Sequence, residues 1–187
     1  TMVLNVGSGG MEVIRQVISK LLHASVRHQV CFIGVDISSA AHEAAKENLK
    51  EFGTLVDMQE VEILDRSACA SILHRSYSKF VVILCKNDIF KMSEFFQPQE
   101  FDLLFHSLFK HHLTQAQKKH FDEMAPSLAK IILEYDGYCS FPHLIPHTIT
   151  GWGYPPLLNG AVLSNLRYST PDELRADTHA KYITFFK

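Results

Sequence analysis

The chain has 187 residues, of which 47% are hydrophobic and 20% charged, and its formal net charge is −2. That length and balance suit one soluble domain with a sizeable core and exclude a disordered chain. The near-neutral charge, without a cluster of lysine or arginine, argues against a nucleic-acid partner, and no apolar run reaches the roughly 18 residues of a membrane helix.

Strand and helix signals alternate along the chain. "MVLNV" (2–6) is a short strand that runs into the glycines of "NVGSGG" (5–10), and apolar residues then recur at helical spacing from Met11 to Leu22. "VCFIGV" (30–35) is a continuous apolar run of the kind that a strand buried on both faces shows. Residues 38–52 are rich in strong helix formers, with Ser38 or Ser39 as N-cap. "VEIL" (61–64) and "KFVVILC" (79–85) read as strands with a helix at 67–77 between them. "FDLLFH" (101–106) is a further strand, 114–129 a helix and "KIILEY" (130–135) another strand.

The Pro- and Gly-rich segment 141–156 is too apolar for a floppy linker and reads as an ordered loop. Thr170, Pro171, Asp172 and Glu173 suit the start of a short helix, and "KYITFF" (181–186) a last strand. The alternation predicts an α/β fold in which a mostly parallel sheet is covered on both faces.

Four cysteines (Cys31, Cys69, Cys85, Cys139) lack the short spacing of a zinc or redox motif. They read as small buried thiols in a reducing compartment, so the cytoplasm is the expected location. Glycines interrupt the first residues, so no secretory signal is expected within them.

A parallel sheet binds ligands at the carboxyl ends of its strands, so the chemistry belongs in the turns that follow them. After the first strand, Gly7 and Gly9 let a ligand approach the backbone and leave N–H groups at a helix start; the plain alternative is a strand–helix turn with no ligand. After the second strand, Asp36 has the chemistry to accept both hydroxyls of a ribose, or to cap the next helix. Together the two turns form the arrangement that holds an adenosine-containing cofactor.

At this point the sequence resembles the class I S-adenosylmethionine-dependent methyltransferases. "VLNVGSGG" is similar to their first motif, and "GVDISSAAHEAAKENL" to their second strand and helix. "KNDIF" (86–90) resembles the third motif, "FDLLFHSLFKHHL" (101–113) the fourth strand and its turn, and "FDEMAPSLAKIILEYDGY" (121–138) the helix and strand that follow. "LSNLRYSTPDELR" (163–175) is similar to a late segment of small-molecule members.

The resemblance implies a three-layer αβα Rossmann-like methyltransferase fold, mostly parallel with an antiparallel last strand. It implies one domain over 1–187, with an insertion about 54–76 and a substrate-side loop about 139–165. The implied cofactor is S-adenosyl-L-methionine, held by Asn5, Gly7, Ser8, Gly9, Asp36, Ile37, Asp88, Ile89, His106 and Ser107. Asp88 is preferred for the contact to adenine because "FDLLFH" follows it closely, and Asp65 is the alternative. Two positions depart from the family pattern: Asn5 stands where an acid is usual, and Met11 where a third glycine is usual. The chain also opens directly at its first strand, where members carry upstream helices, so an excised domain or one without its amino-terminal lid is expected.

Methyl transfer needs alignment and water exclusion, and a base only where the acceptor must lose a proton. His111 and His112 are the first candidates for that base, and His106 lies nearby; the alternative is that the "HH" pair only caps and packs. Glu134, Tyr135 and Asp136 end a strand and either face the acceptor or satisfy loop amides. Trp152 and Tyr154 either wall the acceptor pocket or pack at the surface. His143 and His147 lie four apart among prolines without an acid to complete a set, so no metal site is expected.

The turn "FHSL" lacks the proline-containing sequence of members that methylate exocyclic amino groups, which favours a small-molecule acceptor at O, C or N. The alternative is a methyltransferase-like non-catalytic module for cofactor binding or interaction. A nicotinamide-dependent oxidoreductase would need the three-glycine fingerprint that Met11 breaks.

Overall fold

The computed structural model describes residues 1–24, 26–107 and 109–135. Its elements in chain order are β1 (Met2–Val6), α1 (Glu12–His23), β2 (Val30–Val35), α2 (Ser39–Leu49), β3 (Val56–Val61), α3 (Arg66–Arg75), β4 (Phe80–Cys85), α4 (Met92–Phe95), β5 (Phe101–Ser107), α5 (Gln115–Leu128) and β6 (Ala129–Tyr135). The chain divides into two compact units. One comprises 1–107 and 123–134 and holds nearly all of the sheet; in the other, 109–122 and Tyr135 are described.

The sheet order is β3-β4-β2-β1-β5-β6. The pairs β1–β2, β1–β5, β2–β4 and β3–β4 all run parallel. No antiparallel strand appears in these pairings, and the antiparallel last strand expected at 181–186 lies outside the described residues. So do the loop at 141–156, the helix from Thr170, the pair His143 and His147, Asp136, Trp152, Tyr154 and Cys139.

β2 and β4 are buried at every position, because helices cover both faces of these central strands. One face packs Val3, Val30, Phe32, Phe80, Val82 and Leu84 against Ile14 and Ile18 of α1 and Ala45 and Leu49 of α2. The strand period of two sends Leu4, Cys31, Ile33, Val81 and Ile83 to the other face, where each is also buried. There Cys31 shares a thiol hydrogen bond with Cys69 of α3, and that bond together with burial raises its pKa. Burial pushes the Cys85 thiol up to about 12. All three described cysteines are therefore free, buried packing groups.

The third strand falls at Val56–Val61, whereas the sequence reading placed it at 61–64. Its sequence "VDMQEV" is half polar because it is the outermost strand, so pairing with β4 defines it and apolar density does not. The helix expected over 38–52 ends at Leu49 and passes into a 3-10 segment, Lys50–Leu55, in which Gly53 turns the chain with φ +52°. An apolar cavity of about 320 Å³ lies between α1 and the sheet, lined by side chains such as Val17, Leu21, Leu103 and Phe105 and by no candidate site residue. No described helix is long and apolar enough to cross a membrane.

Candidate functional site

Parallel strands bring the turns after β1, β2 and β4 to one edge of the sheet. The first turn is built for close backbone approach. Gly7 and Gly9 have φ +60° and +51°, and a Cβ added to Gly9 would meet nothing within 4 Å among the described residues. That open side leaves the backbone accessible for close approach. The turn closes by a Met11 N–H bond to the Ser8 carbonyl at 2.9 Å and is tied to β2 by Ser8 N–H donating to the Val35 carbonyl at 3.2 Å.

Asp36, at the tip of β2, joins the two turns. Its Oδ2 accepts the Gly9 N–H at 2.9 Å, and its Oδ1 accepts the Ser38 N–H at 2.9 Å. A carboxylate offers about four lone-pair positions, so each oxygen keeps capacity for a ligand hydroxyl. Ile37 beside it is 80% exposed, an apolar side chain presented to solvent at the sheet edge. Ser38, not Asp36, caps α2, accepting the Ala41 N–H at 3.3 Å.

The two departures from the family pattern meet one another. Asn5, 4% exposed, donates its Nδ2 to the Met11 thioether at 3.2 Å. Met11 holds φ +59°, the left-handed region that glycine occupies freely, yet its side chain is 1% exposed. It fills space left by Gly34, where an added Cβ would stand 2.9 Å from Met11 Cε and 3.0 Å from Ser8 Oγ. Ser8 Oγ is itself buried, with no hydrogen-bond partner among the described residues.

The turn after β4 carries Asn87, Asp88 and Ile89. Asp88 is exposed and caps the next turn, its Oδ1 accepting the Phe90 N–H at 3.0 Å. Ile89 is 6% exposed and belongs to the packing. Asp65 follows the outer strand β3 and caps α3, accepting the Ala68 N–H at 2.7 Å. Asn87 escaped the sequence reading: it is 5% exposed and bonds both backbone groups of Leu64. Nothing local in "KNDIF" marks it, since its partner lies 23 positions away.

On β5, His106 is fully buried, with Nε2 3.6 Å from Glu134 Oε2, and Ser107 is half-buried at the strand end. His111 and His112 belong to the other unit, in a 3-10 turn at Lys110–His112. Their rings lie 3.9 Å apart; His111 is 4% exposed and His112 is exposed. Within that unit Lys110 pairs with Asp122 at 2.8 Å. Among the described residues no group of three or more His, Cys, Asp or Glu side chains could hold a metal.

A parallel sheet of this order, with a glycine turn after β1 and a carboxylate after β2, is a Rossmann-like architecture. The fold is similar to that of a solved methyltransferase: the crystal structure of the plantazolicin methyltransferase BamL, in complex with a triazolic desmethylPZN analog and SAH, superposes with a TM-score of 0.53 at 12% identity over 94% of this chain and 51% of BamL. CrArsM, an arsenic(III) S-adenosylmethionine methyltransferase from Chlamydomonas reinhardtii, is 15% identical over 94% of this chain and 49% of its own, with a TM-score of 0.47, too loose a likeness to carry weight. The chain thus spans about half the length of the solved structures it matches. No protein-family model matches the sequence, and no match was found among curated proteins.

Proposed function

We propose that the chain is an S-adenosylmethionine-dependent methyltransferase domain that acts on a small-molecule acceptor at oxygen, carbon or nitrogen. The observation that carries this reading is the bond from Gly9 N–H to Asp36, which sets an open glycine turn beside a carboxylate at the sheet edge. When bound, S-adenosylmethionine supplies a methyl group activated on a sulfonium. Gly7, Ser8 and Gly9 would hold its methionine end, and Asp36 its ribose hydroxyls through the remaining lone pairs. Exposed Ile37 would cover one face of the base, and Asp88 would accept from the adenine amino group. Asp88 is favoured over Asp65 because it follows β4, the strand directly beside β2, whereas Asp65 follows β3 at the far edge. The same order supports reading about 54–76 as an insertion that adds an outer strand and helix.

His111 or His112 would take the proton of an acceptor that must lose one. Exposed His112 is the better placed to exchange protons without a backbone change. The free, buried thiols support a reducing compartment such as the cytoplasm.

Calorimetric titration with S-adenosylmethionine and S-adenosylhomocysteine tests this. Binding is expected, and Asp36→Ala should weaken it more than tenfold, about 1.4 kcal/mol or above. Folded protein that shows no binding at millimolar cofactor would sink the enzyme reading. That result would favour the non-catalytic module, for which the specific observation is the Asn5–Met11 contact in place of an acid.

A further inference from the structure

The β3–β4 ladder ends with Val61 opposite Cys85, yet the two strands are joined once more beyond it. Asn87 Oδ1 accepts the Leu64 N–H at 3.1 Å, and its Nδ2 donates to the Leu64 carbonyl at 3.0 Å. Such reciprocal exchange of both bonds is the pattern of an antiparallel hydrogen-bonded pair, here set at the end of a parallel ladder with a side-chain amide in place of one peptide. Leu64 is 0% exposed, so water cannot replace either bond. The same Nδ2 lies 3.3 Å from the thioether of Met92, which is also fully buried. On the other flank of this turn, Asp36 N–H donates to the Cys85 carbonyl at 3.2 Å. The chain from Cys85 to Asn87 is therefore clamped between the Asp36 peptide and the loop after β3, and Asp88 is the next residue.

We propose that Asn87 is a positioning residue, through which the outer β3–α3 unit fixes where Asp88 meets the base of the cofactor. This inference rests on the S-adenosylmethionine reading above. A carboxylate only accepts hydrogen bonds, so it favours a base with a 6-amino group over one with a 6-oxo group, provided that it is held in place. Among the described residues Asp88 makes no side-chain bond to β3 or α3; its Oδ1 is engaged locally with Phe90 N–H. The register of its backbone depends on the residue before it. Loss of the clasp frees the turn to shift, and discrimination between bases falls before cofactor binding as a whole is lost.

The test compares the affinities of S-adenosylhomocysteine and its inosine analogue for the full chain, by calorimetry. The proteins are wild type, Asn87→Ala, Asn87→Asp and Asp88→Ala, with circular dichroism to show that each is folded. Asn87→Asp keeps the acceptor for Leu64 N–H but sets an oxygen against the Leu64 carbonyl, so it breaks the clasp with little change of volume. Wild type is expected to prefer the adenine form by about tenfold or more. In Asp88→Ala and in either folded Asn87 variant that ratio should collapse towards one. Parallel weakening of both ligands with the ratio intact would mean that Asn87 is merely structural, and would overturn the proposal. Equal wild-type affinity for the two ligands would overturn it while leaving the cofactor reading in place. Wild type that binds neither overturns both.

Discussion

The Gly9 N–H and the Asp36 carboxylate, 27 positions apart in the chain, meet at 2.9 Å and tie the turn after β1 to the tip of β2. With Ser38 N–H on the other oxygen, the carboxylate organises its own surroundings before any ligand arrives. Asp36→Asn retains one acceptor and turns an NH2 group towards the other N–H. It should lower the stability of the ligand-free protein by about 1.5–3 kcal/mol, the usual range for hydrogen bonds to a charged group. Urea denaturation without cofactor measures this; an unchanged midpoint would show that the two bonds contribute nothing to the fold.

Met11 reverses a usual order of substitution. Truncating a buried methionine to alanine costs roughly 2–5 kcal/mol, and glycine normally costs more. At φ +59°, however, alanine keeps a backbone strain of about 1–2 kcal/mol that glycine relieves. Met11→Gly should therefore be less destabilising than Met11→Ala in equilibrium unfolding, although both lose the Asn5 contact.

Gly34 and Met11 should couple. A methyl group at position 34 would stand 2.9 Å from Met11 Cε, so Gly34→Ala is expected to cost about 1–3 kcal/mol by overpacking. Removing the methionine side chain relieves the closer of the two contacts while Ser8 Oγ stays at 3.0 Å, so the double variant Gly34→Ala/Met11→Ala should keep part of the cost yet be more stable than the sum of the single effects. A thermodynamic cycle on the four proteins measures the coupling, and strict additivity would refute the packing account.

Asp102 gives the acid limb of the stability curve a specific contribution. Lys130 Nζ, at 2.8 Å, and then the Met2 N–H, at 3.0 Å, hold its carboxyl below the ordinary value near 3.8. A depressed folded pKa means that the stabilisation is complete above the ordinary value and is lost as pH falls through the lower one. The stability difference between wild type and Asp102→Asn should stay level between about pH 7 and 5 and shrink below about pH 4. Because the pair is solvent-exposed, the difference should also shrink in about 1 M salt.

Much of the fold was legible because its signals are local. The apolar runs at 2–6, 30–35 and 79–85 and the helical spacing after Met11 each name an element within one window of sequence. The strand at Val56–Val61 was misplaced because an edge strand needs only one apolar face, so its pattern is diluted by Asp57, Gln59 and Glu60. The histidines of the "HH" pair show the limit for the site: residue type and order suggested a base, but exposure differs sharply between the neighbours His111 and His112, and only packing sets that.

By itself the sequence determined the alternation of strands and helices, and with it a parallel sheet whose turns carry glycines after β1 and an acid after β2. Only the tertiary structure decided that β4 sits between β3 and β2, that Met11 takes a left-handed backbone over Gly34, and that Asn87 reaches back to Leu64. The reason is one of range. Propensity and periodicity act over a few residues, whereas strand order and the bonds of buried amides depend on groups tens of positions apart, which meet only when the whole sheet has closed.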